Sequence, residues 1–265
     1  MASGGGAQRP GSLEGMGALV TGGASGLGEA TTRALAARGA RVAVVDLNTE
    51  RAESLVEELG DEAVALTADV SDEEQITEAV AGAREALGEL RVCVSCAGVG
   101  WAERVVGREG PAKLEYFGNV IRVNVIGTYN ALRLSAAAMA HNEPDAEGQR
   151  GVVVMTASVA AFDGQIGQTA YAASKGAIVS LTLPAARDLS RVGVRVCTIA
   201  PGVFDTPLLA ALPQENRDAL GARVPFPPRL GRPAGLSLLA CQIAENPYLN
   251  GETIRLDGAL RMAPR

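Results

Sequence analysis

The segment that most constrains the fold is an apolar run that breaks into a cluster of glycines and continues as a helix-compatible stretch. Residues 17–21 form the run, glycines stand at 22, 23, 26 and 28, and Gly39 closes a helical pattern over 29–38. Strand, glycine turn and helix N-terminus together favour an anion, because backbone N–H groups and the helix dipole point at it. Glycines also let the backbone approach a pyrophosphate closely, although a glycine-rich turn can serve only as a turn. The residues predicted to cradle a dinucleotide are Gly22, Ser25, Gly26, Leu27 and Gly28.

The second apolar run, residues 41–46, ends in an acidic side chain. Asp46 lies eighteen residues beyond Gly28, where a carboxylate can accept hydrogen bonds from an adenosine ribose. A carboxylate there would repel a 2′-phosphate, and Leu47-Asn48-Thr49 place no basic residue beside it. The pattern therefore favours NAD over NADP. An aspartate that merely starts a helix is the alternative interpretation.

A phenol and an ammonium lie four residues apart at Tyr171 and Lys175, and Ser158 stands thirteen residues before the tyrosine. Residues four apart share one face of a helix. A unit charge ~5 Å away is worth ~3 kcal/mol at an effective dielectric near 20, or roughly two pKa units. The pattern predicts that Tyr171 is a general acid/base whose pKa Lys175 lowers, while Ser158 bonds a substrate oxygen at a strand end. The alternative is an ordinary helix tyrosine beside a solvated lysine.

Motifs spread over nearly the whole chain resemble those of the short-chain dehydrogenase/reductase family, in the family's order. The matching residues are Thr21-Gly22-x-x-x-Gly26-x-Gly28, Asp69-Val70, Ala97-Gly98, Asn124, Ser158, Tyr171-x-x-x-Lys175 and Pro201-Gly202. One departure lies at Ser95-Cys96, where the family often has asparagines before Ala-Gly. We therefore expect the side-chain bonds of this loop to differ while its backbone role is kept.

The resemblance implies roles for individual residues. Lys175 is expected to bond the nicotinamide ribose, and Asn124 to kink its helix and hold a water that links Lys175 to solvent. An exposed helix asparagine is the alternative for Asn124. The further cofactor contacts that the resemblance implies are those of Asp69, Val70, Cys96, Ala97, Gly98, Tyr171, Lys175, Pro201, Val203 and Thr206.

Three stretches, residues 156–165, 199–209 and 246–252, resemble family members that oxidise 3-hydroxyacyl-CoA thioesters and hydroxysteroids. The expected activity is reversible hydride transfer between NAD and a secondary alcohol or ketone, with 3-hydroxyacyl-CoA as the expected substrate and hydroxysteroids as a further class. Gln165 either faces this substrate or is a loop amide. The long segments 101–117 and 207–228 either close over an acyl chain or a steroid, or serve as lid packing or oligomer contacts.

Two other functions compete with this assignment. One is an NADPH-dependent 3-ketoacyl reductase of the same fold, which Asp46 disfavours. The other is a binding or scaffold protein that keeps the fold without turnover, which the intact set of Ser158, Tyr171 and Lys175 disfavours as the sole role. Cofactor-dependent turnover would separate these classes.

Apolar strand-like runs alternate with helical patterns along the chain. Further strand candidates are 92–96, 151–157, 195–199 and 253–256, and helical patterns cover 72–87, 120–139 and 170–189. Alternating βα units predict an α/β, single-domain Rossmann fold, a doubly wound parallel sheet of about seven strands with helices on both faces. Ligands then bind at the carboxyl ends of the strands, where Gly22, Asp46, Asp69, Gly98, Ser158 and Pro201 all fall. We expect this domain over residues 16–265, after a flexible glycine-rich tail over residues 1–15.

Composition and charge disfavour several other classes. Hydrophobic residues make up 47% of the chain, ample for a core, and a net charge of −6 disfavours nucleic-acid binding. No apolar run is long enough to span a bilayer, and residues 1–15 lack a signal core, which favours a cytoplasmic location with the mitochondrial matrix as an alternative. The single histidine, His141, cannot anchor a multi-histidine site, so no metal is expected. It is also poorly placed for a Ser-His-Asp hydrolase.

The four cysteines predict reduced thiols rather than disulfides, because the chain shows no secretory signal. Cys93 and Cys96 have the spacing of a redox motif but lie within a strand pattern. An offset of three places their side chains on opposite faces of a strand, so two buried small residues are expected.

The resemblance also implies a homotetramer. The family commonly pairs the helices around Asn124 and Tyr171 with their mates, and pairs the last strand across another axis. Small side chains at 136–138, 172–173 and 177 permit close helix approach, and residues 253–256 would be an edge strand that benefits from cover. A monomer whose alanines merely favour helix is the alternative.

Overall fold

A computed structural model describes residues 12–108, 110–210 and 213–264 of the protein. Its centre is a sheet of seven parallel strands in the order β3-β2-β1-β4-β7-β8-β9. The seven strands are β1 (Gly17–Thr21), β2 (Arg41–Asp46), β3 (Ala63–Thr67), β4 (Leu90–Ser95), β7 (Gly151–Thr156), β8 (Val194–Pro201) and β9 (Thr253–Leu256). A separate small hairpin consists of β5 (Val106–Gly107) and β6 (Gly110–Pro111).

Helices connect the strands and cover both faces of the sheet. They are α1 (Gly26–Ala36), α2 (Thr49–Leu59), α3 (Glu73–Leu87), α4 (Leu114–Ile121), α5 (Gly127–Met139), α6 (Thr169–Leu189), α7 (Pro207–Ala210), α8 (Gln214–Ala222) and α9 (Pro233–Glu245). A π-helical turn, Arg122–Ile126, joins α4 to α5 without a break. The predicted doubly wound α/β sheet is confirmed.

Two hydrophobic layers hold the helices on the sheet. Alternate residues of each strand point to opposite faces, so Ala43 and Val45 pack with α3, α5 and α6, whereas Val42 and Val44 face the α1, α2 and α9 side. The β4 and β7 strands contribute to both layers and are almost wholly buried, as central parallel strands require. The sheet therefore forms a rigid platform whose strand ends are fixed on both sides.

The strand order reverses between β1 and β4, which places the crevice between the loops that follow these two strands. The loop after β1 holds the glycine turn, and the loop after β4 holds Cys96 to Gly98. Ligands of open α/β sheets bind at this position.

The predicted element boundaries agree closely with the structure at β1, β2 and β9 and differ by one or two residues at β4, α3 and α6. The helical pattern over 120–139 is longer than expected, because α4 already begins at Leu114. The long segment 101–117 contains the small hairpin, and 207–228 contains α7 and α8.

Residues before the predicted domain boundary at residue 16 already make contacts with the rest of the domain. Leu13 is only 3% exposed and packs in the hydrophobic layer of α1 and α9. The Gly15 N–H donates to the Gly39 carbonyl at 2.8 Å. A flexible tail up to residue 15 is therefore wrong for residues 12–15, since an apolar side chain buries itself there; the rest of the predicted tail, residues 1–11, lies outside the described residues.

No helix within residues 12–108, 110–210 and 213–264 combines the length and the apolar character needed to cross a lipid bilayer.

Candidate active site

The glycine turn after β1 adopts a conformation that other residues rarely take. Gly22 and Gly26 have φ of +62° and +53°, in the left-handed region that favours glycine. A Cβ on Gly28 would stand 1.9 Å from the Gly22 carbonyl oxygen, and one on Gly22 would stand 2.7 Å from the Ala97 nitrogen. The glycines are thus needed to pack α1 against the turn and the turn against the loop after β4.

The N-terminus of α1 fits a negatively charged group. Ser25 is the N-cap residue, but its side chain makes no capping hydrogen bond, so the first-turn N–H groups are left for another acceptor. Thr206 and Pro207 lie against Gly26 from the opposite side, with Thr206 Cβ 3.8 Å from an ideal Gly26 Cβ position. These residues, with Leu27 in the first turn, form a cradle of the kind that binds a pyrophosphate.

The end of β2 forms the edge of this cradle. Asp46 Oδ2 accepts from the Ala24 N–H and Oδ1 from the Asn48 N–H, each at 3.0 Å. Carboxylate oxygens have further lone pairs, so both can still accept bonds from a ribose. A helix follows Asp46, but Asn48 is its N-cap, so the helix-start interpretation of Asp46 is wrong.

A basic residue that sequence reasoning overlooked also lies at this edge. Arg51, in the first turn of α2, donates from Nε to the Ala24 carbonyl at 3.2 Å and pairs from Nη2 with Glu29 at 3.4 Å. The expectation of no basic neighbour considered the three residues after Asp46 only. The sequence signal that could have identified Arg51 is Asn48, a residue that commonly caps helices. A helix that begins after Asn48 has Arg51 in its first turn, close to the glycine segment.

The loop after β3 is organised by Asp69. Its Oδ1 accepts from the Ser71 N–H at 2.8 Å and from the Ser71 hydroxyl at 2.7 Å, and its own N–H donates to Gln75 Oε1 at 3.0 Å. The next residue, Val70, is buried, and its carbonyl accepts from Asn130 Nδ2 at 3.0 Å. The backbone at the end of β3 is thereby fixed beside the crevice.

The loop after β4 approaches the end of β1. The Cys96 N–H donates to the Thr21 carbonyl at 3.0 Å, and the Ala97 N–H reaches Thr21 Oγ1 at 3.4 Å. Cys96 Sγ lies 3.7 Å from Thr156 Oγ1. Burial raises the pKa of this thiol above its ordinary value, opposed by the nearby Thr156 hydroxyl and the Lys175 charge. The expectation that Cys96 is a buried strand residue is wrong, since β4 ends at Ser95 and the Cys96 residue is partly exposed. All four cysteines are free thiols.

Asn124 occupies the π-helical turn and is fully buried, at 0% exposure, which rules out the exposed alternative. Its Oδ1 accepts from the Val99 N–H at 2.8 Å, and its Nδ2 donates to the Val99 carbonyl at 2.9 Å and to Ser174 Oγ at 3.0 Å. The irregular turn agrees with the expected distortion of the helix. The carboxamide holds the loop after β4 against α6, a role that sequence reasoning missed; the bridging water stays a prediction.

Lys175 is also buried, at 6% exposure. Its Nζ donates to the Thr156 carbonyl at 2.9 Å and lies 5.7 Å from the centre of the Tyr171 ring. Burial lowers the pKa of this ammonium to about 8, with the Cys96 thiol acting in the opposite sense. The solvated-lysine alternative is therefore wrong, and the side chain carries a charge that titrates near neutral pH.

Tyr171 lies one turn before Lys175 on α6. Burial raises the pKa of its phenol above the ordinary value, and a hydrogen bond with Ser158 opposes that rise. The expectation that Lys175 lowers this pKa is not met, because desolvation of the phenolate is the largest influence on it and the Lys175 ammonium donates to the Thr156 carbonyl. Ser158 lies at the end of β7, is mostly buried, and accepts from the Ala160 N–H at 3.1 Å.

The remaining predicted contacts lie around the ends of β7 and β8. Pro201 ends β8 in a buried position, and the Val203 carbonyl accepts from the Gly231 N–H at 2.9 Å. The Gln165 carboxamide donates to the Ala263 carbonyl at 3.0 Å, so in this state it holds the C-terminal segment. Its contact with a substrate stays a prediction.

A mostly apolar cavity of about 360 Å³ lies between the segment after β8 and the C-terminal segment. Its lining residues are Val203, Leu220, Arg223, Leu260, Arg261, Met262 and Ala263. Val203 belongs both to this cavity and to the strand end that carries Pro201, so the cavity adjoins the crevice.

Comparison with known proteins decides the family. Residues 17–217 match the family model described as short chain dehydrogenase. The chain belongs to the short-chain dehydrogenase family. This dehydrogenase is therefore an oxidoreductase that uses a nicotinamide cofactor.

This dehydrogenase is 52% identical over 248 residues to 3-hydroxyacyl-CoA dehydrogenase type-2 of Drosophila melanogaster, covering 93% of this chain and 97% of the relative. A crystal structure of 3-hydroxyacyl-CoA dehydrogenase type-2 from Mycobacterium avium matches with a TM-score of 0.92 and 45% identity, covering 96% and 98% of the two chains. A structure of 3-ketoacyl-(acyl-carrier-protein) reductase from Brucella melitensis complexed with NADH matches with a TM-score of 0.84 and 31% identity, covering 95% of this chain and 100% of the reductase. The narrower resemblance suggested by three stretches of the sequence is thus confirmed.

Proposed function

We propose that this dehydrogenase oxidises 3-hydroxyacyl-CoA to 3-oxoacyl-CoA with NAD, and reduces the ketone in the reverse direction. The observation that carries the proposal is the arrangement of Ser158 after β7 with Tyr171 and the buried Lys175 one turn apart on α6, in a chain about half identical to 3-hydroxyacyl-CoA dehydrogenases over nearly its whole length. Hydroxysteroids, which share the secondary alcohol, are a second substrate class. The activity would place the protein in fatty-acid and lipid metabolism.

Three residues carry the proton chemistry. Tyr171 removes the hydroxyl proton in oxidation and returns it in reduction, and Ser158 positions the substrate oxygen through its hydroxyl. Lys175, one turn further along α6, reaches towards the nicotinamide ribose. When bound, the nicotinamide ring exchanges a hydride with the carbinol carbon. Asn124 fixes the backbone of the neighbouring loop and, with a bound water, connects Lys175 to solvent.

The preference for NAD follows from the charge at the adenosine ribose. Asp46 has two carboxylate oxygens at the edge of the cradle. They accept hydrogen bonds from the ribose hydroxyls and repel a 2′-phosphate. Gly22 to Gly28 and Thr206 would hold the pyrophosphate, and Pro201 and Val203 would contact the nicotinamide. Asp69 and Val70 would contact the adenine, and the loop from Cys96 to Gly98 would line the site.

The apolar cavity beside Val203 suits the acyl chain or a steroid skeleton. Leu220, Leu260 and Met262 supply apolar surface, whereas Arg223 and Arg261 add charge at its rim. Gln165 donates to the carbonyl of Ala263, a residue that lines this cavity, which is why we propose that its carboxamide contacts the substrate. Aliphatic ligands bind in such mostly apolar cavities.

We further infer a homotetramer. Exposed apolar side chains mark two sets of elements: Leu114, Phe117, Ile126 and Tyr129 along α4, the π-helical turn and α5, and Leu183, Leu238 and Tyr248 on α6, α9 and the segment before β9. Leu114 is 81% exposed and Tyr248 96%, and β9 is the edge strand of the sheet. Two such sets of elements support two twofold interfaces. Sedimentation equilibrium at micromolar concentration tests this: we expect about four times 27.1 kDa, and a single species of 27.1 kDa would contradict it.

We place the protein in the cytoplasm, with the mitochondrial matrix as the second candidate. Both compartments keep thiols reduced, which agrees with four free cysteines, three of them buried. Imaging of the tagged full-length chain, with a C-terminal tag that leaves residues 1–15 free, distinguishes the two.

The experiment that tests the activity is an NAD-linked screen of 3-hydroxyacyl-CoA chain lengths beside hydroxysteroids and a 3-ketoacyl carrier-protein substrate. We expect NADH formation with at least one 3-hydroxyacyl-CoA at a kcat/KM at least about tenfold above that for any carrier-protein substrate with NADPH. Turnover restricted to NADPH and the carrier-protein substrate would favour the reductase. Binding of NADH without turnover of any substrate would favour a scaffold protein.

A further inference from the structure

We propose that Arg51 is a second determinant of dinucleotide specificity, a guanidinium at the adenosine-ribose edge that attracts a 2′-phosphate and so acts against Asp46. The inference rests on the cofactor site proposed above and adds a residue to it. Arg51 would influence which of NAD and NADP binds, and it takes no part in the proton transfer by Tyr171.

Ala24 joins the two charged side chains. Its N–H donates to Asp46 Oδ2 at 3.0 Å, and its carbonyl accepts from Arg51 Nε at 3.2 Å. One residue of the glycine turn therefore has a carboxylate on one side and a guanidinium on the other. The two opposite charges stand at the same part of the cradle, immediately before Ser25 starts α1.

The backbone fixes Arg51 in this place. Asn48 caps α2 by accepting the Arg51 N–H at 3.0 Å, and the Asn48 N–H itself donates to Asp46 Oδ1 at 3.0 Å. Arg51 thus lies in the first turn of α2, where the positive end of the helix dipole adds to its charge. The arrangement couples the carboxylate, the cap and the guanidinium into one local structure.

Arg51 is available to a ligand. Its Nη2 pairs with Glu29 at the long distance of 3.4 Å, and Glu29 has a closer partner in Arg33, at 3.0 Å. Glu29 therefore stays paired when Arg51 turns towards a phosphate. In the described part of the chain these contacts use Nε and Nη2 of Arg51, so Nη1 stays open, and the side chain is 52% exposed.

The local charge explains why Asp46 still dominates. The carboxylates linked to this edge are Asp46, Glu29 and Glu58, against the guanidiniums of Arg51 and Arg33. A 2′-phosphate would therefore meet a negative balance while Asp46 is present. Once Asp46 is neutral, Arg51 is the cation placed to pair with the phosphate, and guanidinium binds phosphate oxygens in a fork geometry.

The test is a cycle of variants with NADH and NADPH affinities measured by nucleotide fluorescence on the purified full-length protein. We expect Asp46→Ser to raise the NADPH affinity at least about tenfold. Adding Arg51→Gln to Asp46→Ser is expected to lower the ratio of NADPH to NADH affinity at least about tenfold, whereas adding Arg51→Lys lowers it less. The matched control adds Arg33→Gln to Asp46→Ser. This variant removes the other guanidinium that pairs with Glu29, and we expect it to change the ratio of NADPH to NADH affinity less than about threefold.

The ratio is the decisive quantity because a loosened glycine turn would weaken both nucleotides together. Salt adds a second readout: NADPH binding to Asp46→Ser should weaken more steeply with ionic strength than binding to the double variant. An unchanged ratio on adding Arg51→Gln, or an equal effect of Arg33→Gln, would overturn the role of Arg51 while leaving the proposed function intact. Failure of the unmodified protein to bind either nucleotide would overturn the cofactor site itself.

Discussion

The carboxamide of Asn124 holds both polar groups of the Val99 backbone, accepting its N–H at 2.8 Å and donating to its carbonyl at 2.9 Å. This pair of bonds fixes the loop that follows β4 against the π-helical turn between α4 and α5. The same Nδ2 reaches Ser174 Oγ on α6, and the Ser174 hydroxyl donates to the Tyr171 carbonyl at 2.8 Å. One buried side chain thus connects the cofactor-site loop to the helix that carries Tyr171 and Lys175.

Asn124→Ala is expected to lower both stability and cofactor affinity. It leaves the Val99 N–H and carbonyl without their partner, which should cost about 2 kcal/mol in the free energy of unfolding, since each unsatisfied buried group costs about 1–3 kcal/mol. The loosened loop should also weaken NADH binding at least about tenfold. Urea unfolding and NADH titration measure the two effects.

Asn142→Ala provides the matched control. Asn142 is also buried and donates to two backbone carbonyls, those of Leu90 and Arg150, but at the amino ends of β4 and β7. Asn142→Ala should lower the free energy of unfolding by a similar amount and leave NADH affinity within about threefold of that of the unmodified protein. Equal losses of NADH affinity in the two variants would show that Asn124 has no particular role at the cofactor site.

Lys175 makes stability depend on pH in the alkaline range. Burial lowers its pKa from 10.5 to about 8, a difference of roughly 2.5 units at 1.36 kcal/mol each, or about 3 kcal/mol of destabilisation at neutral pH. Between pH 8 and 10.5 the unfolded chain binds this proton more often than the folded one. The cost is therefore fully present below pH 8 and fades as the pH rises.

We expect the unmodified protein to gain stability relative to Lys175→Met between pH 7.5 and 9.5, by about 1–2 kcal/mol, because most of the Lys175 cost lies in this interval. Urea unfolding of both proteins at the two pH values measures the difference. The comparison cancels groups common to both proteins. A difference independent of pH would mean that Lys175 keeps its ordinary pKa in the folded state.

The direction of catalysis should respond to pH through Tyr171. Burial raises the pKa of its phenol, so the neutral form dominates at neutral pH. Oxidation needs the deprotonated form and should accelerate as the pH rises from 7 to 9, whereas ketone reduction, which needs the neutral form, should change little through Tyr171 in this range. Because the Ser158 hydroxyl opposes the rise in pKa, Ser158→Ala should shift the residual oxidation profile to higher pH. Profiles of kcat/KM against pH in both directions test this, and a profile for Ser158→Ala shifted to lower pH would contradict it.

Gly28→Ala should disrupt the glycine turn, because its Cβ would stand 1.9 Å from the Gly22 carbonyl oxygen. Backbone cannot yield as a flexible side chain does, so we expect loss of NADH binding by at least about a hundredfold or failure to fold. Gly235→Ala, in the first turn of α9 with nothing within 4 Å, is the control. It should be neutral or stabilise by up to about 1 kcal/mol. Intact NADH affinity in a folded Gly28→Ala variant would show that the turn tolerates a side chain.

Much of the fold could be predicted because apolar runs and their polar ends are local features of the sequence. The run 17–21 followed by glycines placed β1 and its turn, and the residues that close each run, such as Asp46 and Ser158, do fall at strand ends. The parallel sheet with helices on both faces followed from alternating βα units. The start of the domain was harder to predict from the sequence, because Leu13 packs in the core although a glycine-rich stretch precedes it.

The missed features depend on contacts between distant segments. The pairing of Asn124 with Val99 spans 25 positions, and that of Gln165 with Ala263 spans 98. The pKa of Tyr171 was misjudged because sequence spacing gives the distance between two charges but not their burial. Arg51 was overlooked because the helix turn that brings it to Ala24 extends beyond the three residues considered after Asp46.

Tyr171→Phe tests the central claim most directly, because it keeps the ring and removes the group that transfers the proton. The measurement is steady-state NADH formation from a 3-hydroxyacyl-CoA by the unmodified protein and the variant, with NADH affinity measured for both. General acid/base catalysis is typically worth about 10²–10⁴-fold, so we expect kcat to fall at least about a hundredfold while NADH affinity stays within about threefold. A variant that turns over at a near-normal rate would contradict the assignment of Tyr171 as the acid/base.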